Sequence, residues 1–219
     1  MISAVIFDMD GLIVDSEPWW RVAESNVFGK LSTAPRQEEF EKMMGWQIKE
    51  VIRNWYNLHP WKNFSLDETQ KEIIAEVEKL VKENSVLLPG VISALEFFRK
   101  KNIALALASS SPLTLIRGLM QHYEIYDEFS VVCSAEFEEY GKPHPAIFLT
   151  TAKHMKVNPA ECLVLEDSFN GVIAAKAAKM KCIAVPSKEH FSQTRFDIAD
   201  LKLSSLDKFS EKDWEILNS

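Results

Sequence analysis

The sequence predicts an α/β protein: a doubly wound, Rossmann-like parallel sheet with an α-helical cap inserted after the first strand. Three observations predict it. From about residue 86 onward, short apolar runs alternate with amphipathic segments. An apolar strand at 4–8 opens the chain. Residues 15–85 break the alternation, with helical periodicity and no convincing strand.

The strand at 4–8 ends in "FDMDG". In the inserted stretch the clearest helix covers 65–84. It places Leu66, Ile73, Ile74, Val77, Leu80 and Val81 on one face, and Ser65 with Glu68 forms a capping-box pattern at its start. Pro89 and Gly90 mark the return to the sheet. Strands are then expected at 103–109, 130–134, 162–167 and 182–186. Their near-continuous hydrophobicity suits a parallel sheet covered on both faces. Helices are expected at 91–101, 112–123, 145–155 and 170–179, with Pro112 and Pro145 near helix starts. The expected division is a core of 1–14 with 86–219 and a cap of 15–85.

A chain of 219 residues can hold one good core and a smaller inserted unit. Its formal net charge of −7 argues against a nucleic-acid partner, which needs clustered Lys and Arg. No apolar run approaches membrane length, and no basic segment followed by an apolar one opens the chain. Cys133, Cys162 and Cys182 are odd in number and widely spaced, with no CxxC pair, so reduced thiols are expected. These features lead us to expect a cytoplasmic protein, monomeric or weakly associating.

Ligands of open parallel sheets bind at the carboxyl ends of the strands. Four such ends carry polar groups here: Asp8 and Asp10; Ser109 with Ser110; Lys142 in the loop after the 130–134 strand; and Glu166 with Asp167. Four clustered acids need a cation, and an all-oxygen set of this size suits Mg²⁺. A carboxylate can also be a nucleophile that forms an aspartyl-phosphate. Lys142, Ser109 and the Ser110 backbone N–H would serve phosphoryl oxygens. Gly11 permits a tight turn beside the acids. Each signal alone has an ordinary reading. "DMDG" lacks the EF-hand spacing, because Leu12 and Ile13 occupy the third-ligand and glycine positions. A lone lysine is usually a surface residue, and a serine run is usually a helix cap. Four strand ends with matched chemistry outweigh those readings.

"FDMDG", "ALASSS", "GKPHP" and "LEDSFNG" resemble, in order, the four motifs of the haloacid dehalogenase-like superfamily. The longer runs look most similar to bacterial hexitol-phosphate and 2-deoxyglucose-6-phosphate phosphatases. The resemblance implies that Asp8 attacks phosphorus and ligates Mg²⁺. Asp10 would be the acid–base, with its carbonyl on the metal. Ser109 and Lys142 would hold phosphoryl oxygens, Asp167 would be a metal ligand, and Glu166 would act directly or through water. A cis bond before Pro143 is also implied. The implied partner is a small phosphorylated sugar or sugar alcohol.

Five of the six tryptophans fall in the cap, and most are expected to pack its core. Trp46, after Gly45 in "MMGWQIKE", is the expected exception that faces substrate, with Gln47 beside it and Glu17 and Lys49 as further polar candidates. The runner-up activity is that of a β-phosphoglucomutase, which must grip a second phosphate. Such mutases place an Arg where this chain has Ile48, so the departure favours a hydrolase. A catalytically inactive sugar-phosphate binding protein is a further alternative, disfavoured because no motif residue is missing.

Overall fold

Six parallel strands form one sheet: β1 (Ala4–Phe7), β2 (Ala104–Ser109), β3 (Val131–Ser134), β4 (Cys162–Glu166), β5 (Lys181–Ala184) and β6 (Leu201–Lys202). Their order is β3-β2-β1-β4-β5-β6, the doubly wound arrangement that reverses direction beside the first strand. The computed structural model describes residues 1–43 and 46–219, with the side chains of residues 37 and 41 excepted. Gly45, one end of the break expected in "MMGWQIKE", lies outside the described residues.

Strand periodicity sorts side chains onto two unequal faces. Val5, Phe7, Leu105, Leu107, Leu163 and Leu165 point to one side, against α5 (Val91–Lys100) and α6 (Leu113–His122). Ala4, Ile6, Ala106, Ala108, Cys162 and Cys182 point to the other, against α7 (Ala146–Met155) and α8 (Phe169–Ala177). Small residues on that second face let its helices approach the sheet closely. All three cysteines are free thiols.

Between β1 and α5 the described residues form helices and no strand: α1 (Glu17–Leu31), α2 (Gln37–Met43), α3 (Ile48–Leu58) and α4 (Leu66–Asn84). The Ser65 hydroxyl accepts from the Glu68 N–H at the start of α4, one half of the capping box expected there. Trp55, Trp61 and Phe28 pack together inside this layer. Two adjacent crossings join the layer to the sheet. Val14 and Leu87 pair antiparallel, and the Leu88 N–H donates to the Ile13 carbonyl at 2.9 Å. The Trp19 indole N–H donates to the Ser85 hydroxyl across the same crossings.

The sequence reading assigns no element beyond residue 186, where the structure holds β6 and α9 (Glu211–Asn218). The α9 start is a full capping box between Ser210 and Asp213, and Trp214 packs on Phe97 and Phe98 of α5. Pro112 and Pro145 stand one residue before their helices rather than inside them. No described helix is long and apolar enough to cross a membrane.

Gly90, the residue before α5, has φ of +89°, and a Cβ there would lie 2.1 Å from the Asp207 backbone nitrogen. The atoms it would meet are the backbone of Leu206 and Asp207, which cannot swing aside as a side chain could. Gly90→Ala should therefore lower unfolding free energy by about 2 kcal/mol or more, since left-handed backbone alone costs a non-glycine residue about 1–3 kcal/mol. Urea denaturation measures this, and an unchanged midpoint would contradict it.

Candidate active site

The sheet register sets Phe7 level with Leu107 and Leu165, so the chain leaves β1, β2 and β4 at one rim. Lys142 enters this rim from the loop after β3. Its ammonium donates to Asp8 Oδ1 at 2.8 Å and to Glu166 Oε1 at 2.5 Å, and none of the three side chains is more than 8% exposed. The other Glu166 oxygen accepts from the backbone N–H and hydroxyl of Ser168, each at 2.9 Å. Ser168 in turn caps α8 by accepting from the Gly171 N–H. A Cβ on Gly171 would lie 1.8–2.3 Å from the Glu166 carboxyl atoms, so the glycine makes room for that carboxylate. The Lys142–Pro143 peptide is cis.

Asp10 is held differently. Its Oδ1 accepts from the Ser16 hydroxyl (2.6 Å) and the Trp20 indole N–H (3.0 Å). Its Oδ2 accepts from the hydroxyls of Ser109 (3.1 Å) and Ser111 (2.7 Å). Two donors come from the start of the helical layer and two from the end of β2. Gly11, with φ of +74°, turns the chain beneath this group, and its N–H donates to the Val14 carbonyl. A Cβ on Gly11 would meet Asp167 Oδ2 at 2.2 Å, so the turn also lets that carboxylate approach the backbone.

Asp8, Glu166 and Asp167 each offer an oxygen within 4.8 Å of the others. Burial pushes the Asp8 carboxyl up to about 8; Lys142 opposes this, and Glu166 and Asp10 add to it. Asp167 is also raised well above its ordinary value, by burial first and then by Glu166 and Asp8. One lysine faces three carboxyl groups. A bound divalent cation would offset that excess, and the all-oxygen donor set fits a hard metal such as Mg²⁺.

A cleft opens over these residues. Asp8, Asp10, Ser110, Ser111, Lys142 and Asp167 form its floor, while Glu17, Trp20, Arg21 and Glu24 form a polar wall on α1. Phe40, Met43, Trp46, Ile48 and Val51 form an apolar wall opposite. Trp46 lines the cleft. Gln47 does not: its buried side-chain amide donates to the Ala135 carbonyl at 2.6 Å, which ties the start of α3 to the sheet layer. Lys49 is not among the lining residues either. The Ser109 hydroxyl is buried and donates to Asp10, leaving Ser110 and Ser111 at the cleft surface. Glu166 lies beneath the floor as the support of Lys142.

Ser16, Trp20, Ser111, Arg21 and Glu24 were missed by sequence reasoning. Glu17, Arg21 and Glu24 share one helix face, a spacing readable in "EPWWRVAE". Trp20 was absorbed into the expected tryptophan core. A methyl group at Gly171 should displace Glu166 and misaim Lys142. Gly171→Ala is therefore expected to lower kcat by about 100-fold, the scale of a 1 Å misplacement. Steady-state kinetics on protein shown to be folded by circular dichroism check this, and wild-type kcat would refute it.

Residues 5–185 match the profile of the haloacid dehalogenase-like hydrolases. The chain is 41% identical over 213 residues to hexitol phosphatase B of Escherichia coli (strain K12), an alignment covering 97% of this chain and 96% of that relative. Its structure is similar to that of CbbY from Rhodobacter sphaeroides in complex with phosphate, with a TM-score of 0.90, 24% identity and full coverage of both chains. β-Phosphoglucomutase from Clostridium difficile is similar too, with a TM-score of 0.84 and 27% identity over 100% of this chain and 98% of that one. With four motif-bearing strand ends gathered at one rim and this match along the chain, the protein belongs to the haloacid dehalogenase-like hydrolase family.

Proposed function

We propose that this protein is a Mg²⁺-dependent phosphatase of small sugar or sugar-alcohol monophosphates, acting through an aspartyl-phosphate on Asp8. The observation that carries the reading is Asp8 braced by Lys142 at the floor of an amphipathic cleft, with Asp10 beside it. The full-length likeness to a hexitol phosphatase supports the same substrate class. Residues 15–85 serve in this reading as the cap that covers the site.

An Asp8 carboxylate oxygen attacks phosphorus, and the bond from phosphorus to the ester oxygen breaks. Asp10 in its acid form gives its proton to the leaving alcohol oxygen. Water then attacks the phosphorus of the aspartyl-phosphate and passes its proton to Asp10, which frees phosphate and restores Asp8. Three of the four Asp10 partners are hydroxyl groups, which can turn from donor to acceptor when Asp10 takes a proton. Lys142 keeps one Asp8 oxygen paired and places positive charge where phosphoryl charge develops. Asp8 and Asp167, with Glu166 directly or through water, would hold Mg²⁺, and the metal supplies charge stabilisation for the phosphoryl oxygens.

Hydrolysis is favoured over phosphate transfer between sugar positions by the far end of the cleft. A mutase must hold a second phosphate there. Among the described residues that line the cleft, Ile48 is apolar, and Arg21, the one arginine, stands between Glu17 and Glu24 in sequence.

Asp8→Asn should abolish phosphate release from sugar phosphates while the protein remains folded; appreciable turnover would exclude Asp8 as nucleophile. Chelation should likewise remove activity, and Mg²⁺ should restore it. The Asp8 carboxyl also carries a stability expectation. With its folded value raised to about 8, the metal-free native state holds a proton that the unfolded chain releases above its ordinary value near 3.8. The site therefore lowers stability as pH rises from about 4 through about 8. Near pH 8 the metal-free Asp8→Asn variant should melt above the metal-free wild type, and Mg²⁺ should raise the wild-type Tm more than that of the variant. Scanning calorimetry tests both expectations, and equal melting temperatures would refute them.

A further inference from the structure

Glu24 is a buried acid without a structural task. It is 7% exposed and lines the cleft, yet no described group donates a hydrogen bond to its carboxylate and no ion pair holds it. The charges acting on it are those of Glu17 and Arg21 on its own helix. Its carboxylate oxygens are not closed off from the cleft, where a ligand can supply hydrogen bonds to them. Nothing within the described protein does so. The cleft is the direction from which a partner can come.

Glu17, Arg21 and Glu24 follow an i, i+4, i+7 spacing and so form one row on α1. The row has a near end and a far end. Glu17 sits by the chemistry, close enough to Asp10 and Asp167 for their charges to act on one another. Seven residues of helix rise put Glu24 about 10.5 Å further along. Counted along α1 from the residue beside the chemistry, that spacing suits a longer chain than glycerol phosphate, whose carbons end nearer the phosphate. The facing wall of Phe40, Met43, Trp46, Ile48 and Val51 offers no hydrogen-bonding side chain except the Trp46 indole. A polyol lying between the walls would turn its hydroxyl groups to α1 and its carbon chain to the apolar side.

We propose that the Glu17–Arg21–Glu24 row of α1 measures the length of the polyol chain, with Glu24 binding the hydroxyl groups furthest from the phosphate and thereby selecting six-carbon over three-carbon monophosphates. This rests on the polyol-phosphate reading given above. Each hydroxyl that reaches Glu24 satisfies a group left open in the free protein, so the gain depends on chain length and leaves the phosphoryl chemistry alone. Glu24 is a specificity-determining residue in this arrangement. It touches no reacting atom.

The test compares kcat/KM for sorbitol 6-phosphate, erythritol 4-phosphate and glycerol 3-phosphate in wild type, Glu24→Leu and Glu24→Asp. Glu24→Leu should lose about tenfold or more in kcat/KM on the six-carbon substrate relative to the three-carbon one, chiefly through KM. Glu24→Asp, which withdraws the carboxylate by one methylene, should move the ratio the same way by less, and it carries the test if the leucine variant does not fold. Equal losses on all three substrates, or an unchanged ratio, would overturn the length-measuring role. A wild-type enzyme that prefers the hexitol phosphate while both variants keep that preference overturns this inference alone. A wild-type enzyme with turnover on an aryl phosphate but on none of the three polyol phosphates overturns the substrate class as well.

Discussion

Lys142, shared between Asp8 and Glu166, is the contact on which the rest of the site depends. Burying an ammonium and two carboxylates is expensive, and geometry decides whether the ion pairs repay it. Here each partner is supported in turn. Ser168 occupies the other Glu166 oxygen, Gly171 leaves room for that carboxylate, and the Lys142 ammonium lies over the Phe148 ring. The lysine cannot neutralise all the charge around it, because Asp167 adds a third carboxyl group to the same few ångströms. A second cation is the physical complement of that arrangement. The sheet exists in a form that makes this possible: parallel strands in level register deliver all of these groups to one rim.

Asp10 depends on a different connection, one between layers. Ser109 and Ser111 hold it from the end of β2, while Ser16 and the Trp20 indole hold it from the start of the helical layer. Gln47 adds a further tie through the Ala135 carbonyl, and Gln47 and Glu50 press against Gly141 immediately before Lys142. Moving α1 away from the sheet would strip Asp10 of half of its donors. The docking of the helical layer on the sheet and the orientation of the Asp10 carboxylate are thus linked.

Much of the fold was legible because its signals are local. Apolar runs such as "ALALAS" and "CLVLE" read as buried strands, and their ends named Asp8, Ser109 and Glu166 before any contact was known. What sequence could not assign was the direction of a hydroxyl or the reach of a side chain. Ser109 carries the chemistry expected of a phosphoryl ligand, yet in three dimensions its hydroxyl turns to Asp10. Gln47 sits beside Trp46, yet one looks into the cleft and the other into the sheet layer. β6 escaped because two residues in "LKLSS" give no periodicity, and α9 because its core contact is essentially Trp214 on distant aromatic residues. Trp20 shows the limit most clearly. Its size argues for packing, and only its indole N–H, aimed at Asp10, makes it part of the site.

The same helix explains how one catalytic floor can serve different substrates. The floor is built from sheet ends and, in the function proposed above, takes the phosphoryl group, so it says little about what the phosphate is attached to. The attached group meets α1 and the apolar wall opposite. A second phosphate arriving there would face two carboxyl groups for one arginine, whereas a chain of hydroxyls brings donors to acceptors that the free protein leaves open. An Arg in place of Ile48 would cancel that excess of carboxyl groups without touching Asp8, Lys142 or Asp167. Hydrolysis rather than phosphate exchange then follows from the charge of a wall that does not take part in bond breaking.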